Sequence, residues 1–246
     1  MNRVSAGFFS LTPPAPPDDD GSYLRWHLLD HMPEQYSLPG VVLGSRWIAD
    51  GDYPDRVIAA SKPLDAVGGV VSYLFSEPVQ QTYDDFMAVG AHLAQVGRFP
   101  ERRPSLSTRL LRLTGAHAAP RALVSDGVVP FRPHRGILLV IEEPAGDLAH
   151  WNNWLKTEHR PALLGADGVA GVWSYASTDD WTVLPTCEGD PQVVTVAYLD
   201  AEPLRTAAAL QPLIEQRWTT GAVRPVFAGP LRTMTRRDAW PEAPAS

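Results

Sequence analysis

Trp26-His27-Leu28-Leu29-Asp30-His31-Met32-Pro33, followed by Gly40-Val41, is written a second time as Trp154-Leu155-Lys156-Thr157-Glu158-His159-Arg160-Pro161, followed by Gly168-Val169. Tryptophan, acid, histidine, proline, glycine and valine each recur 128 positions on, with no gap between them. A second echo sets Tyr73-Leu74-Phe75-Ser76-Glu77-Pro78 against Tyr198-Leu199-Asp200-Ala201-Glu202-Pro203, now 125 positions apart. An offset that changes only across loops is the mark of a duplicated fold, and a repeat constrains architecture more firmly than local propensity.

Working outward, each copy predicts strand, helix, strand, strand, helix, strand. In the first these are Val4 to Leu11, Gly21 to Gln35, Val41 to Ala49, Val70 to Phe75, Thr82 to Val96 and Thr108 to Thr114. In the second they are Gly136 to Ile141, Asp147 to Leu164, Val169 to Ala176, Val193 to Leu199, Leu204 to Trp218 and Val226 to Met234. Asp18-Asp19-Asp20 and Asp147 suit helix N-caps, and Gly165 suits a stop. The proline-bearing stretch from Ala118 to His134 reads as a linker, which places the units at 1–125 and 126–246. The order is the ferredoxin-like split βαβ, an antiparallel sheet with helices on one face. The predicted class is α+β: two tandem ferredoxin-like βαββαβ units burying their bare sheet faces together, an intramolecular dimeric α/β barrel.

Composition bounds the function. Hydrophobic residues are 44% of the 246, enough for a core. A formal charge of -7 argues against nucleic acid or an anionic membrane as partner. One cysteine, Cys187, permits no internal disulfide, and no zinc spacing is present. Met1 to Pro17 has too short an apolar run for a secretion signal, and no segment approaches the roughly 18 apolar residues of a membrane span. The expectation is a cytoplasmic protein, a monomeric pseudo-dimer or a homodimer.

Tandem units carrying tryptophan, acid-His-x-Pro and a glycine-led strand resemble the dimeric α/β barrel superfamily, most closely its EthD-like branch. The resemblance implies a small-molecule pocket between helices and sheet or near the barrel mouth. It covers cyclases, isomerases, dehydratases and oxygenases that need no cofactor, and some tandem relatives bind haem through a helical histidine. The family's histidine corresponds here to His31 and His159.

From the residues, His31 and His159 are candidate acid/base groups, since an imidazole titrates near neutrality and a helix C-terminus favours its charged form. Against this, each can simply tie down the turn before its strand. Tyr73 and Tyr198 are candidate donors to a developing enolate oxygen, although strand tyrosines are more often core and Glu-Pro more often opens a helix. Trp47, Trp173 and Tyr175 are candidate substrate contacts, and Arg46 and Arg160 could hold a carboxylate or phosphate. His27 and His31 are spaced as a metal pair but lack a third ligand, so no metal is expected. The long loops Asp50 to Gly69 and Ser177 to Asp190 suit lids or binding loops, although such loops can also be mere surface elaboration. The expected activity is proton-transfer chemistry (cyclisation, dehydration or isomerisation) on a hydrophobic, aromatic or polyketide-like molecule, with no cofactor. The alternatives are a cofactor-independent monooxygenase, a haem- or ligand-binding protein using a helical histidine, and a non-catalytic protein with a closed pocket.

Overall fold

The computed structural model describes residues 2–15, 21–99 and 105–235. In the first half come β1 (Ala6–Thr12), helix α1, β2 (Val41–Ile48), a short β3 (Ala59–Ala60), β4 (Gly69–Phe75), α2 (Val79–Gln95) and β5 (Ser107–Ala118). The second half has β6 (Gly136–Pro144), helix α3, β7 (Val169–Ala176), β8 (Val193–Leu199), α4 (Pro203–Gln216) and β9 (Val223–Met234). The expected cap at Asp18 to Asp20 lies outside the described residues. Asp147 does cap α3, its carboxylate accepting the His150 amide at 3.0 Å. Gly165 is the last helical residue, with Ala166 as C-cap.

Both motif helices widen at the same place. α1 runs as Ser22–Trp26, a π-helical turn His27–His31, then Met32–Gln35. α3 runs as Leu148–Trp154, a π turn Leu155–His159, then Arg160–Gly165. The equivalent strands also share a bulge, between Val41 and Leu43 in β2 and between Val169 and Gly171 in β7. Bulges and π turns re-aim side chains and are kept where that aim matters.

The strands follow the order β2-β4-β1-β5-β7-β8-β6-β9, and β2 pairs with β9 to close the ring, with β3 added to β9. Every pairing is antiparallel. Closure removes the free edges that an open sheet would present, so the predicted face-to-face barrel is the observed fold. Alternation along each strand then separates two kinds of core. Leu74, Leu111, Leu139, Tyr175, Val196 and Tyr198 belong to one large central cluster. Tyr73 and Phe75 pack instead with Leu28 and Met32 of α1, and Ala197 and Leu199 with Leu163 and Leu210.

The two long loops are clasps, which corrects the reading of them as lids. From the first half, Ile58 and Ser61 donate amides to Ala228 and Val226 of β9, and Asp50 pairs with Arg232. From the second, Thr182 exchanges two hydrogen bonds with Gln80 of α2, and Asp180 pairs with Arg112. Leu184 donates its amide to the Tyr83 hydroxyl, which in turn donates to the buried Cys187 sulfur at 3.4 Å. Each half thereby holds the other by a matched arginine–aspartate pair on its last strand.

Candidate functional site in the first half

A cavity of about 170 Å³ opens where α1, β2, the linker and the end of β9 meet. Leu28, Met32 and Trp47 form its apolar wall, and Arg46, Arg132 and His134 bring polar groups to it. An apolar void of about 150 Å³ holds benzene, so this space suits a molecule of about one aromatic ring. Arg132 pairs with Asp200 at 2.8 Å. His134 is engaged on both nitrogens, Nε2 with the Val129 carbonyl at 2.6 Å and Nδ1 with Asp200 at 3.2 Å. His134 is therefore a fixed wall rather than a free base.

Behind the wall lies a concentration of unmet hydrogen-bonding capacity. His27, His31 and Gln35 sit four apart along α1, one stripe of the helix. Among the described residues, Nδ1 of both histidines, both amide atoms of Gln35 and the Tyr73 hydroxyl are buried with no hydrogen-bond partner. Buried polar groups are normally satisfied, and those that are not often serve chemistry or hold water or a ligand. Gly44 joins Tyr73 to the cavity, since a Cβ there would stand 2.7 Å from the Met32 methyl, 2.9 Å from the Tyr36 hydroxyl and 3.0 Å from the Tyr73 ring. Arg46, 4% exposed, lines the cavity while its charge reaches His27 and Tyr73. Its guanidinium also sits 5.4 Å over the Tyr23 ring.

The electrostatics run against the helix-end expectation for histidine. Burial, then the Arg46 charge and His31, push His27 well below 6.5. Burial takes His31 down to about 4, and the nearby Asp30 only partly offsets it. Asp30 and Glu34 are turned outward to Arg98, so the acid of the motif is not the histidine's partner. Both imidazoles are neutral at pH 7 and present a lone pair that can accept a proton. Burial raises the Tyr73 phenol far above 10, so it stays a donor.

The remaining expected residues fall elsewhere. Trp173 and Tyr175 are fully buried in the barrel, Trp173 donating to the Asp126 carbonyl at 3.2 Å. They are core, not pocket. Tyr198 lies in the barrel with Trp173 and touches the cavity only through His134, whose ring is 4.8 Å away. His159 is buried against Trp154, its ring 4.8 Å off and both nitrogens without a partner; burial and the nearby Arg217 and Arg160 take it to about 3. Arg160, next to His159 in the chain, does not line the cavity. Glu77 and Glu202 cap their helices, accepting the Val79 amide and those of Leu204 and Arg205. Sequence reasoning missed Gln35, which the four-residue spacing from His31 could have exposed, and His134, for which the linker carries no signal.

No protein-family model and no curated protein matches this chain. Solved structures do. The chain is similar to chlorite dismutase from Candidatus Nitrospira defluvii in complex with imidazole, with TM-score 0.56 and 12% identity over 97% of this chain and 94% of that one. It is similar to a dye-decolorizing protein from V. cholerae, TM-score 0.54 and 10% identity, covering 97% and 96%. An anthrone oxidase-like protein gives TM-score 0.51 and 10% identity, covering 95% and 92%. At such identities the likeness establishes the fold alone, an α+β chain whose large antiparallel sheet closes on itself.

Chlorite dismutase and the dye-decolorizing protein are haem-binding, so the expectation of a site without a cofactor is corrected and does not stand on the fold. His159 offers the donor chemistry of an axial ligand, a buried neutral imidazole with both nitrogens open. The space does not match. A bound cofactor needs a pocket of about 300 Å³ or more, whereas His159 is 2% exposed and packed against the Trp154 ring, and it lines neither the cavity of about 10 Å³ nor that of about 170 Å³. The second half also buries Trp151 and Arg217 around Glu142, with the Trp218 indole donating to the same carboxylate. The residues as arranged do not fit a haem.

Proposed function

We propose that this chain is a small-molecule enzyme of oxygenase type, with its active site in the first-half cavity and a hydrophobic substrate of about one aromatic ring. The observation that carries the reading is a cavity with an apolar wall, lined by Arg46, whose charge reaches two buried groups with unpartnered polar atoms, His27 and Tyr73. Leu28, Met32 and Trp47 grip the ring. A neutral imidazole of the α1 stripe, His27 with His31 as its neighbour, accepts a proton from the substrate's acidic O–H or C–H. Tyr73 donates to the oxygen on which charge then develops, and the Arg46 charge favours that anion. The electron-rich anion is the species that dioxygen oxidises: one oxygen atom becomes bonded to the substrate carbon, and the other leaves as water with the two hydrogens the substrate gives up, so the substrate supplies all four electrons.

Within the superfamily, the duplicated acid-His-x-Pro helix supports an EthD-like relationship. The anthrone oxidase-like neighbour favours oxygenation over a redox-neutral rearrangement. Oxygen uptake is measured with a panel of single-ring phenols, hydroquinones and enolisable ketones. Uptake that saturates with substrate and falls at least tenfold in Tyr73→Phe supports the proposal. Turnover without oxygen uptake would assign cyclisation, dehydration or isomerisation to the same residues instead. Turnover unaffected by changes at Tyr73 and His27 would remove the site.

A further inference from the structure

The duplication supplies a second site to compare with the first. In the first half the apolar wall includes, besides Trp47, Leu28 and Met32 of α1 and Met234, which stands opposite Arg46 in the β2–β9 pairing. At the matching positions of the second half, 128 residues on, α3 carries Lys156 and Arg160. The counterpart of Met234 is Gly115, which stands opposite Ser174 in the β5–β7 pairing as Met234 stands opposite Arg46. Leu28 and Met32 are replaced by cations and Met234 by a bare glycine, while Trp47 has an aromatic counterpart, Tyr175, buried in the barrel. The same place in the fold has changed from a greasy pocket to a positively charged floor.

The groups around that floor converge. A Cβ on Gly115 would stand 3.3 Å from His117 Nε2 and 3.7 Å from Arg160 Nη2, so imidazole and guanidinium face each other across the bare glycine. His159 lies behind, 2% exposed, with both ring nitrogens unpartnered. Arg160 is half-buried and makes no ion pair or hydrogen bond among the described residues. Its other charged neighbour is Arg217, already committed to Glu142. Asp126 is the carboxylate whose charge reaches His117, and it accepts the Ala118 amide. A guanidinium half out of water without a counter-ion is costly, and its forked donors match a carboxylate or phosphate.

We propose that the second half carries an oxyanion-binding site in which Arg160 and His117 hold a carboxylate or phosphate over Gly115, with Lys156 at the rim and His159 behind. The site is separate from the first-half cavity, and its argument does not depend on the activity proposed there. One duplicated pocket thereby holds an apolar ring in one copy and an anionic group in the other.

The test uses the whole chain. Sodium phosphate and sodium acetate are titrated against it in separate arms, at ionic strength held constant with sodium chloride, following the imidazole resonances by NMR with His117→Ala to identify the His117 signal. Saturable movement of that signal is expected, with binding at least tenfold weaker in Arg160→Met, which copies Met32. Saturation by phosphate alone points to a phosphorylated small molecule, and saturation by acetate to a carboxylic acid. Arg160→Lys keeps the charge and loses the fork, so it is expected to bind more weakly than the native chain and more tightly than Arg160→Met. Movement no greater than chloride produces, or equal affinity in a folded Arg160→Met, would overturn the proposal.

Discussion

Tyr73 and Tyr198 occupy the same place in the written repeat and project to opposite faces of the barrel wall. Register shows why. Phe75 stands opposite both Ala6 and Val41, and Leu199 stands opposite both Gly136 and Val169. Phe75 and Leu199 are therefore counterparts, 124 positions apart, whereas the tyrosines are 125 apart. A one-residue slip in a strand turns every side chain to the other face. The true counterpart of Tyr73 is Ala197, and that of Tyr198 is Leu74.

The two phenols should accordingly behave differently. Tyr73→Phe removes a donor beside the cavity and is expected to lower kcat about 100-fold, the scale of losing one oxyanion donor, with little change in stability. Tyr198→Phe is expected to leave kcat within about twofold on the same scale. Steady-state rates of the two variants, with circular dichroism to confirm folding, decide it. Equal losses would mean that Tyr73 acts only through packing.

Acid should destabilise the fold through its histidines. The folded-state values of His31 and His159, about 4 and about 3, lie below the unfolded value near 6.5. The unfolded chain then binds protons that the folded chain refuses, so the linked stability is complete above about pH 6.5 and declines as pH falls toward 4 and then 3. Each pH unit withdraws up to about 1.4 kcal/mol per histidine, less for His31, which is less deeply buried than His159. Urea midpoints across pH 7 to 4 are expected to fall, and His159→Gln is expected to flatten the fall. A flat profile in the native chain would contradict the burial argument.

The buried pair in the second half should be a structural pin. Glu142 and Arg217 are 0% and 1% exposed; the guanidinium also reaches Thr195 and lies 5.3 Å over the Trp151 ring. Removing one partner strands a charge in the core, which costs about 3–5 kcal/mol. Glu142→Gln and Arg217→Met are each expected to lose stability on that scale. The double change Glu142→Leu with Arg217→Met should recover part of it, because no charge is left unpaired. A double variant weaker than both singles would show that the pair's hydrogen bonds, rather than charge balance, hold the region.

Much of this architecture was legible because duplication writes each element twice. The 128-residue offset carried the helices, the strands that follow them and the closed barrel. What the sequence concealed was direction. Trp173 and Tyr175 alternate correctly for a shared face, yet nothing in the alternation tells barrel interior from pocket. His31 reads as a helix-end histidine, but its packing against Trp26 and Phe99 at 5.0 Å each reverses the expected shift. The clasping loops could not be placed because their partners, Arg112 and Arg232, lie in the other half. The cavity draws on α1, β2, the linker and β9, segments far apart in the chain.

Gly44 gives the sharpest test of where the site lies. It has an ordinary strand backbone, so alanine carries no conformational penalty there, and its effect must come through contact. The added methyl would meet the Met32 methyl at 2.7 Å, the Tyr36 hydroxyl at 2.9 Å and the Tyr73 ring at 3.0 Å. All three have to move, and the Tyr36 hydroxyl would be drawn off the Gly44 carbonyl that it now meets at 3.1 Å. Overpacking of this kind costs about 1–3 kcal/mol, and a shift of about 1 Å at a reacting group can cost about 100-fold in rate. Gly44→Ala is expected to stay folded and lose at least tenfold in kcat. Val172, the counterpart of Gly44 128 positions on, lies in the second half. Val172→Ala should cost a similar amount of stability while leaving turnover unchanged. If Val172→Ala lost the activity and Gly44→Ala kept it, the active half would be the second one.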